Sequence, residues 1–222
     1  MTDVELEVRL AARALARAGL AHAYGHCSRR LNDAQFLVCA PRPMGCIAIG
    51  EAGTVVPVRG ALPPGVLGEV RLHQQIYARR PELRGIARSM PPAVMALGTA
   101  RRVPRPRHGP GAYFRSGIAL WDDPQLARND DAAAAIAETL GPRSAVVMRG
   151  NGLVVAGTSL QAAVVLTWYL EDAARLELAV RAAGLEPESV VLSDDECTHR
   201  AITDGLIFER MWAHLVAGDP EL

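Results

Sequence analysis

Lysine is absent: the Lys-plus-Arg count of 24 in a chain of 222 residues is arginine throughout. Without a lysine amine there is no Schiff-base aldolase chemistry and no pyridoxal phosphate linkage. Without a Gly-Lys-Ser/Thr motif there is no P-loop. The chain is also rich in Ala, Gly and Pro, so genomic base composition explains the gap, but the chemical exclusion stands whatever the cause. Cysteine is sparse. Cys27, Cys39, Cys46 and Cys197 form no CxxC pair, so a cysteine-held zinc is not expected and the thiols read as reduced, as in the cytoplasm. No run approaches the roughly 18–20 apolar residues that span a bilayer. The opening MTDVELEVRL lacks a basic start and an apolar core and does not read as a signal peptide. Formal net charge is zero, which offers no broad nucleic-acid face and no acidic tail. The expectation is a cytoplasmic protein with neither nucleic acid nor membrane as partner.

Half of the residues, 50%, are hydrophobic, enough for a full core in one domain over 1–222 with a helical extension over 184–222. Helical spacing of Val4, Val8, Ala11, Ala12 and Leu15 predicts an amphipathic helix over 4–20. Strand-like runs follow at 26–31, 35–40, 46–49 and 54–58, separated by turn residues, as in an antiparallel meander. Helices are predicted over 66–79, 92–99 and 130–140, and strands over 84–88, 145–148 and 153–156. The glycine-flanked Asn151 joins the last two strands in a tight turn. Ser159 caps a long helix running to 183, and one more helix spans about 194–216, with Phe208, Met211, Trp212 and Leu215 on its apolar face. Residues 100–128 read as loop. Within them RRVPRPRH (101–108) is a basic run, first of all a solvated loop.

Taken in order, YGHCSRRL (24–31), FLVCAPRPMG (36–45), the stretch from Gly68 to Val94 and the stretch from Val147 to Arg175 together resemble the class II aldolase/adducin family. YGHCSRRL (24–31) is similar to its Gly-(Asn/His)-x-Ser-x-Arg turn and strand. FLVCAPRPMG (36–45) is similar to its strand ending in an anion-binding turn. GEVRLHQQIYARRPELRGIARSMPPAV (68–94) follows its Glu-x-x-x-His helix, Arg-Pro stop and the strand that usually ends in His-x-His. VMRGNGLVVAGTSLQAAVVLTWYLEDAAR (147–175) follows its strand, Asn-His-Gly turn, strand and glutamate-bearing helix. The resemblance covers about residues 5–183. It implies an α/β three-layer fold, a mostly antiparallel central sheet flanked by helices. It also implies a homo-oligomer, commonly a tetramer with its active site between subunits.

The departures from that pattern carry the functional reading. Metal-dependent members hold a zinc-like ion with three imidazoles, and the ion stabilises an enediolate. Here the His-x-His pair is Arg88-Ser89-Met90 and the third histidine is Asn151. A guanidinium repels a cation, and a thioether is a poor ligand for a hard one. His22, His26, His73, His108, His199 and His214 show no ligand spacing to one another, so no tightly bound catalytic metal and no other cofactor is expected. His26 and Leu67-Gly68 replace the Asn and the Ser pair of the sugar-phosphate enzymes, which argues against a sugar phosphate. Glu69 stands where the family has its acid/base, although a glutamate at a helix start is also favoured by the macrodipole. His73, one turn on, reads as structural. Arg88 at a strand end suits a carboxylate clamp or an ordinary ion pair. Arg149 either assists it or lies on the surface.

The variants RSMPP and RGNG, with YFRSGIALWDDPQL (113–126), resemble decarboxylase-like members that act on ring-cleavage products or dihydroxyphthalate. The resemblance implies a carbon–carbon lyase acting on a small carboxylate through an enolate-like intermediate. Its candidate catalytic residues are Glu69, Arg88, Asn151 and His26. Its candidate substrate-binding residues are Arg88, Arg149, Gly150, Gly152, Ser28 and Tyr113. Glu69, His26 and Tyr113 all stand open as the proton donor. A metal-free aldolase, a biosynthetic lyase or cyclase, and a non-catalytic scaffold like the adducin head domain are the alternatives.

Overall fold

The computed structural model describes residues 3–186 and 189–222. Its strands are β1 (His26–Arg30), β2 (Gln35–Val38), β3 (Thr54–Pro57), β4 (Gly85–Ser89), β5 (Ala119–Trp121), β6 (Ala145–Met148) and β7 (Leu153–Gly157). They form one seven-stranded sheet in the order β3-β2-β1-β4-β7-β6-β5. Neighbours are antiparallel except β5 and β6, which are parallel. The helices are α1 (Asp3–Arg17), α2 (Arg71–Arg79), α3 (Pro92–Thr99), α4 (Gly109–Ala112), α5 (Asp130–Leu140), α6 (Leu160–Ala182), α7 (Asp194–Arg200) and α8 (Ile207–Val216). Among the described residues no helix is long and apolar enough to cross a membrane.

Alternation along the central strands divides the core into two layers. Ala87, Ala145, Val147, Leu153 and Val155 face α1, α3 and α6. Ile86, Val146, Met148, Val154 and Ala156 face α2 and α5. Burial on both sides explains why AVVM and LVVAG are nearly continuous apolar runs. Ser159 caps α6 as the sequence predicts, accepting from the Ala162 amide at 2.9 Å, and Asn129 caps α5, accepting from the Ala132 amide at 2.8 Å. Phe208, Met211 and Trp212 pack against the first core layer, and Leu215 is buried in it.

Besides α4 and β5, which lie in the stretch 100–128 read as loop, the structure departs from the sequence reading in four places. Residues 46–49 are not a strand; Met44–Cys46 is a 3-10 turn, and Gly50 turns the chain onward with φ 69°. The predicted 66–79 helix begins as a separate 3-10 turn, Gly68–Val70, before α2. The last predicted helix is two, because Gly205 (φ 69°) and Leu206 (φ 59°) break it and α8 starts afresh. Finally, the basic run is not a free loop. The fully buried Glu177 carboxylate of α6 takes Arg107 at 2.7 Å and Arg105 at 3.1 Å, while His108 meets Asp172 at 2.8 Å.

A second ionic cluster ties α1 to residues 219–221. Arg13 grips Asp219 through Nε (2.8 Å) and Nη2 (2.7 Å), Arg17 reaches Asp219 at 2.6 Å, and Arg9 grips Glu221 at 2.8 and 2.7 Å. Planar guanidinium forks suit such two-point contacts. Burial pushes the Asp219 carboxyl up, but Arg13 and Arg17 outweigh it and hold it down at about 2. Arg9 and Arg13 likewise hold Glu221 at about 2. Both pKa values are depressed on folding, so the clasp stabilises the protein fully above about pH 4 and weakens as pH falls towards 2. Asp219→Asn should therefore cost about 3 kcal/mol at neutral pH, typical of a buried pair stripped of one partner. In urea melts that difference should shrink between pH 5 and pH 2.5; an equal difference at both pH values contradicts the assignment.

Candidate active site

Register brings the site together. His26 of β1 lies directly across from Arg88 of β4. Gly25 precedes it at φ 151°, and a Cβ there would come within 2.7 Å of Met44 Cε and 3.0 Å of the Arg88 carbonyl oxygen. Asn151 arrives from the β6–β7 turn, closed by the Asn151 amide donating to the Met148 carbonyl at 2.9 Å. At Gly152 (φ 77°) a Cβ would lie 2.1 Å from the Ser89 carbonyl oxygen, so only glycine lets this turn rest on the end of β4. Glu69 is presented by the 3-10 turn before α2. From α6, the buried Glu171 carboxylate accepts the Ala93 and Val94 amides at 3.0 and 3.1 Å. It thereby satisfies the open N-terminus of α3 and anchors the segment that follows Met90.

These elements enclose a cavity of about 600 Å³ whose wall includes His26, Glu69, Arg88, Met90 and Asn151, with Arg42, Leu126 and Arg128 among the other lining residues. Arg88 is 2% exposed. Its Nη2 donates to Asn151 Oδ1 at 2.8 Å and lies 3.2 Å from Glu69 Oε2. Its Nε and Nη1 are buried with no hydrogen-bond partner among the described residues, and so is His26 Nε2. Glu69 Oε2 is 3.9 Å from His26 Nε2, ion-pair rather than hydrogen-bond range. Burial pushes the Glu69 carboxyl up, but His26, Arg88 and Arg128 outweigh it and hold it below the usual range. Burial and the Arg88 charge keep His26 below the ordinary imidazole value despite Glu69. Burial, His26 and Arg88 drive His73 well below it. The resting site is a guanidinium, a carboxylate and two neutral imidazoles.

The donor set does not fit a divalent metal. The Arg88 cation already occupies Asn151 Oδ1 and lies against one oxygen of Glu69, and a guanidinium repels a second cation. Among the described residues no group of three His, Cys, Asp or Glu side chains is placed to hold an ion.

Of the residues singled out from sequence, Glu69, Arg88, Asn151 and His26 meet at this cavity. Gly150 and Gly152 shape the turn beside Asn151 without lining it. Arg149 is turned away, its Nε on the Asp122 carboxylate. Ser28 corrects the sequence reading: its Oγ lies behind His26, bonded to His73 and Tyr77, away from the cavity. Tyr113 is also displaced from the site, because its hydroxyl donates to the Ile202 carbonyl and its ring packs on Tyr169 and Phe208. The absence of ligand spacing between histidines missed one contact, His26 Nδ1 to His73 Nε2 at 2.8 Å. Tyr77 went unnoticed as well; its position four residues after His73 on one helix face was the available signal.

The Class II Aldolase and Adducin N-terminal domain profile matches residues 7–178. The chain belongs to the class II aldolase/adducin family. Within it, the chain is 32% identical over 190 residues to a 3,4-dihydroxyphthalate decarboxylase of Terrabacter sp. (strain DBF63), covering 78% of this chain and 80% of that protein. Alpha-adducin of Rattus norvegicus is 28% identical over 185 residues, 77% of this chain but 24% of adducin. An aldolase II superfamily protein from Pseudomonas syringae superposes with a TM-score of 0.80 at 22% identity, covering 97% of this chain and 93% of that one; it shares the fold.

Nitrogen-15 shifts of the imidazoles followed against pH should show His26 and His73 still neutral at about pH 6.5, where an unperturbed histidine is half protonated. Imidazolium signals from both at that pH contradict the site's charge state.

Proposed function

We propose that this chain is a carbon–carbon lyase that removes carbon dioxide from a small aromatic-derived or oxo carboxylate, with Arg88 in place of a resident metal. The observation that carries this reading is the Arg88 guanidinium, buried in the cavity wall with two of its nitrogens, Nε and Nη1, lacking a hydrogen-bond partner. The similarity to 3,4-dihydroxyphthalate decarboxylases gives the reaction class.

Decarboxylation breaks the bond to the carboxyl carbon and sends its electron pair into a conjugated oxygen. Only interactions that strengthen along that path accelerate it. A cation gripping the departing carboxylate stabilises the wrong state. Arg88 is productive on the oxygen that gains charge, where a fixed cation in a partly dry site lowers the barrier most. Asn151 holds Nη2 and so fixes the direction of the remaining donors. When a substrate anion takes the guanidinium, Glu69 loses its counter-charge and its pKa rises. Proton transfer to carbon then falls to the Glu69–His26 pair. Retro-aldol cleavage would use the same enolate stabilisation, and the two are separated by product: carbon dioxide or an aldehyde.

Purified protein should release carbon dioxide from hydroxylated aromatic dicarboxylates, and Arg88→Ala should lower kcat/KM by about a thousandfold while its far-ultraviolet circular dichroism remains that of the folded protein. Wild-type turnover in the variant rejects the clamp. A protein that binds no member of a carboxylate panel in thermal-shift assays is instead a scaffold of the adducin kind.

Protein purified without chelator or nickel resin should carry sub-stoichiometric zinc, manganese and iron by mass spectrometry, and chelation should leave the rate unchanged. A stoichiometric ion whose removal abolishes turnover refutes metal independence.

A further inference from the structure

We infer that His26 is the proton shuttle of the cavity, and that His73, Ser28 and Tyr77 are positioning residues that hold it in the Nδ1–H tautomer with a free Nε2 lone pair. The inference rests on the lyase reading and deepens it, because it also says what the substrate must carry.

The hydrogen bonds can be followed inward from the far end. The Tyr77 hydroxyl donates to the Ser28 carbonyl oxygen at 3.1 Å. A carbonyl only accepts, so this uses the one hydroxyl proton that tyrosine has. Across the 3.0 Å contact between the hydroxyls, Ser28 must then be the donor and Tyr77 the acceptor. With its own proton committed, Ser28 Oγ accepts across its 2.6 Å contact with His73 Nδ1, which must carry hydrogen. A neutral His73 then has a lone pair on Nε2, and the 2.8 Å contact to His26 is filled by the His26 Nδ1–H. A neutral His26 is left with its lone pair on Nε2, the ring atom that has no partner among the described residues. Every member of this chain is buried: His26 at 2%, His73 and Ser28 at 0%, and Tyr77 at 1%. Phe36 and the Arg30 guanidinium enclose Tyr77 at 5.0 and 4.6 Å. Such enclosure leaves the chain no competing water with which to reverse itself.

A lone pair at Nε2 makes His26 a base at rest, not an acid. The balanced step therefore begins with an O–H on the substrate, next to the carbon that bears the departing carboxylate. His26 Nε2 takes that proton and becomes imidazolium, with the Glu69 carboxylate 3.9 Å away as its counter-charge. The new oxyanion lies against Arg88. The imidazolium then returns its proton to the carbon that bears the carboxylate, which turns the oxyanion into a ketone; the carbon–carboxyl bond breaks, its electron pair flows back into that oxygen against Arg88, and carbon dioxide leaves. The product departs as an oxyanion that is protonated in water. The substrate class is thus an ortho-hydroxyaryl or enolic carboxylate, which supplies its own transferable proton.

The tautomer is read without substrate by nitrogen-15 NMR. Wild-type protein should show His26 protonated at Nδ1 only. Tyr77→Phe keeps the ring in place but frees the Ser28 hydroxyl to donate to His73, and should shift His26 towards the Nε2–H form. Ser28→Ala should give a mixture of the two. On a hydroxyaryl carboxylate Tyr77→Phe should lose about a hundredfold in kcat and Ser28→Ala a few-fold, with KM nearly unchanged in both. Carboxylates lacking the adjacent hydroxyl should bind without turning over. A His26 tautomer that is the same in wild type and both variants overturns the inference, as does wild-type kcat in Tyr77→Phe. Neither result touches the clamp, which stands or falls with Arg88→Ala.

Discussion

The Arg88 guanidinium is 2% exposed in the cavity wall, and a cation taken out of water survives there only because two other segments meet it: Glu69 from the turn before α2 and Asn151 from the β6–β7 turn. That pairing is what the rest of the site adjusts to. The cation outweighs the effect of burial on Glu69 and keeps it ionised, and it adds to burial in keeping the imidazoles neutral. Several features of the fold serve the same convergence. Gly152 lets one turn lie on the end of β4, Gly25 brings His26 beside the Arg88 carbonyl, and Glu171 satisfies the amides at the start of α3.

The same physics recurs across the molecule. With no lysine available, each buried cation is a planar fork that makes several directed hydrogen bonds at once. Arg105 on Glu177 and Glu186, Arg13 on Asp219 and Arg9 on Glu221 each place two guanidinium nitrogens on carboxylates, while Arg107 gives Nε to Glu177 and Nη1 to Ser189. Arg88 differs, since it shares one Glu69 oxygen and leaves two donors over. Two unpartnered guanidinium nitrogens on an arginine that lines a cavity are a chemical reason to look for a ligand at that position.

Much of this was legible in the sequence, and the failures share a cause. Elements with long periodicity or a clear cap were found: α5 between Asn129 and Gly141, α6 behind Ser159, and β6 and β7 around Asn151. Local signals failed where tertiary contacts decide. The three residues of β5 are too few to show alternation, and its pairing comes from β6. Apolar spacing suggested a continuous helix over 194–216, whereas two positive-φ residues interrupt it. For the site, the family pattern pointed to the positions of Glu69, Arg88, Asn151 and His26. It misplaced Ser28 and Tyr113 because residue type does not say which partner a hydroxyl will choose. The His26–His73 contact joins residues 47 apart in sequence, and no spacing rule reaches across a sheet and a helix.

The clasp between α1 and residues 219–221 has a bearing on how the protein is made. Its hydrogen bonds link residues 202 to 212 positions apart. During translation these arginines emerge well before the carboxylates that receive them, and contacts of such long range close slowly. Helix α1 also packs on β1 and α6, so the clasp fastens from outside a helix whose apolar face has partners made earlier.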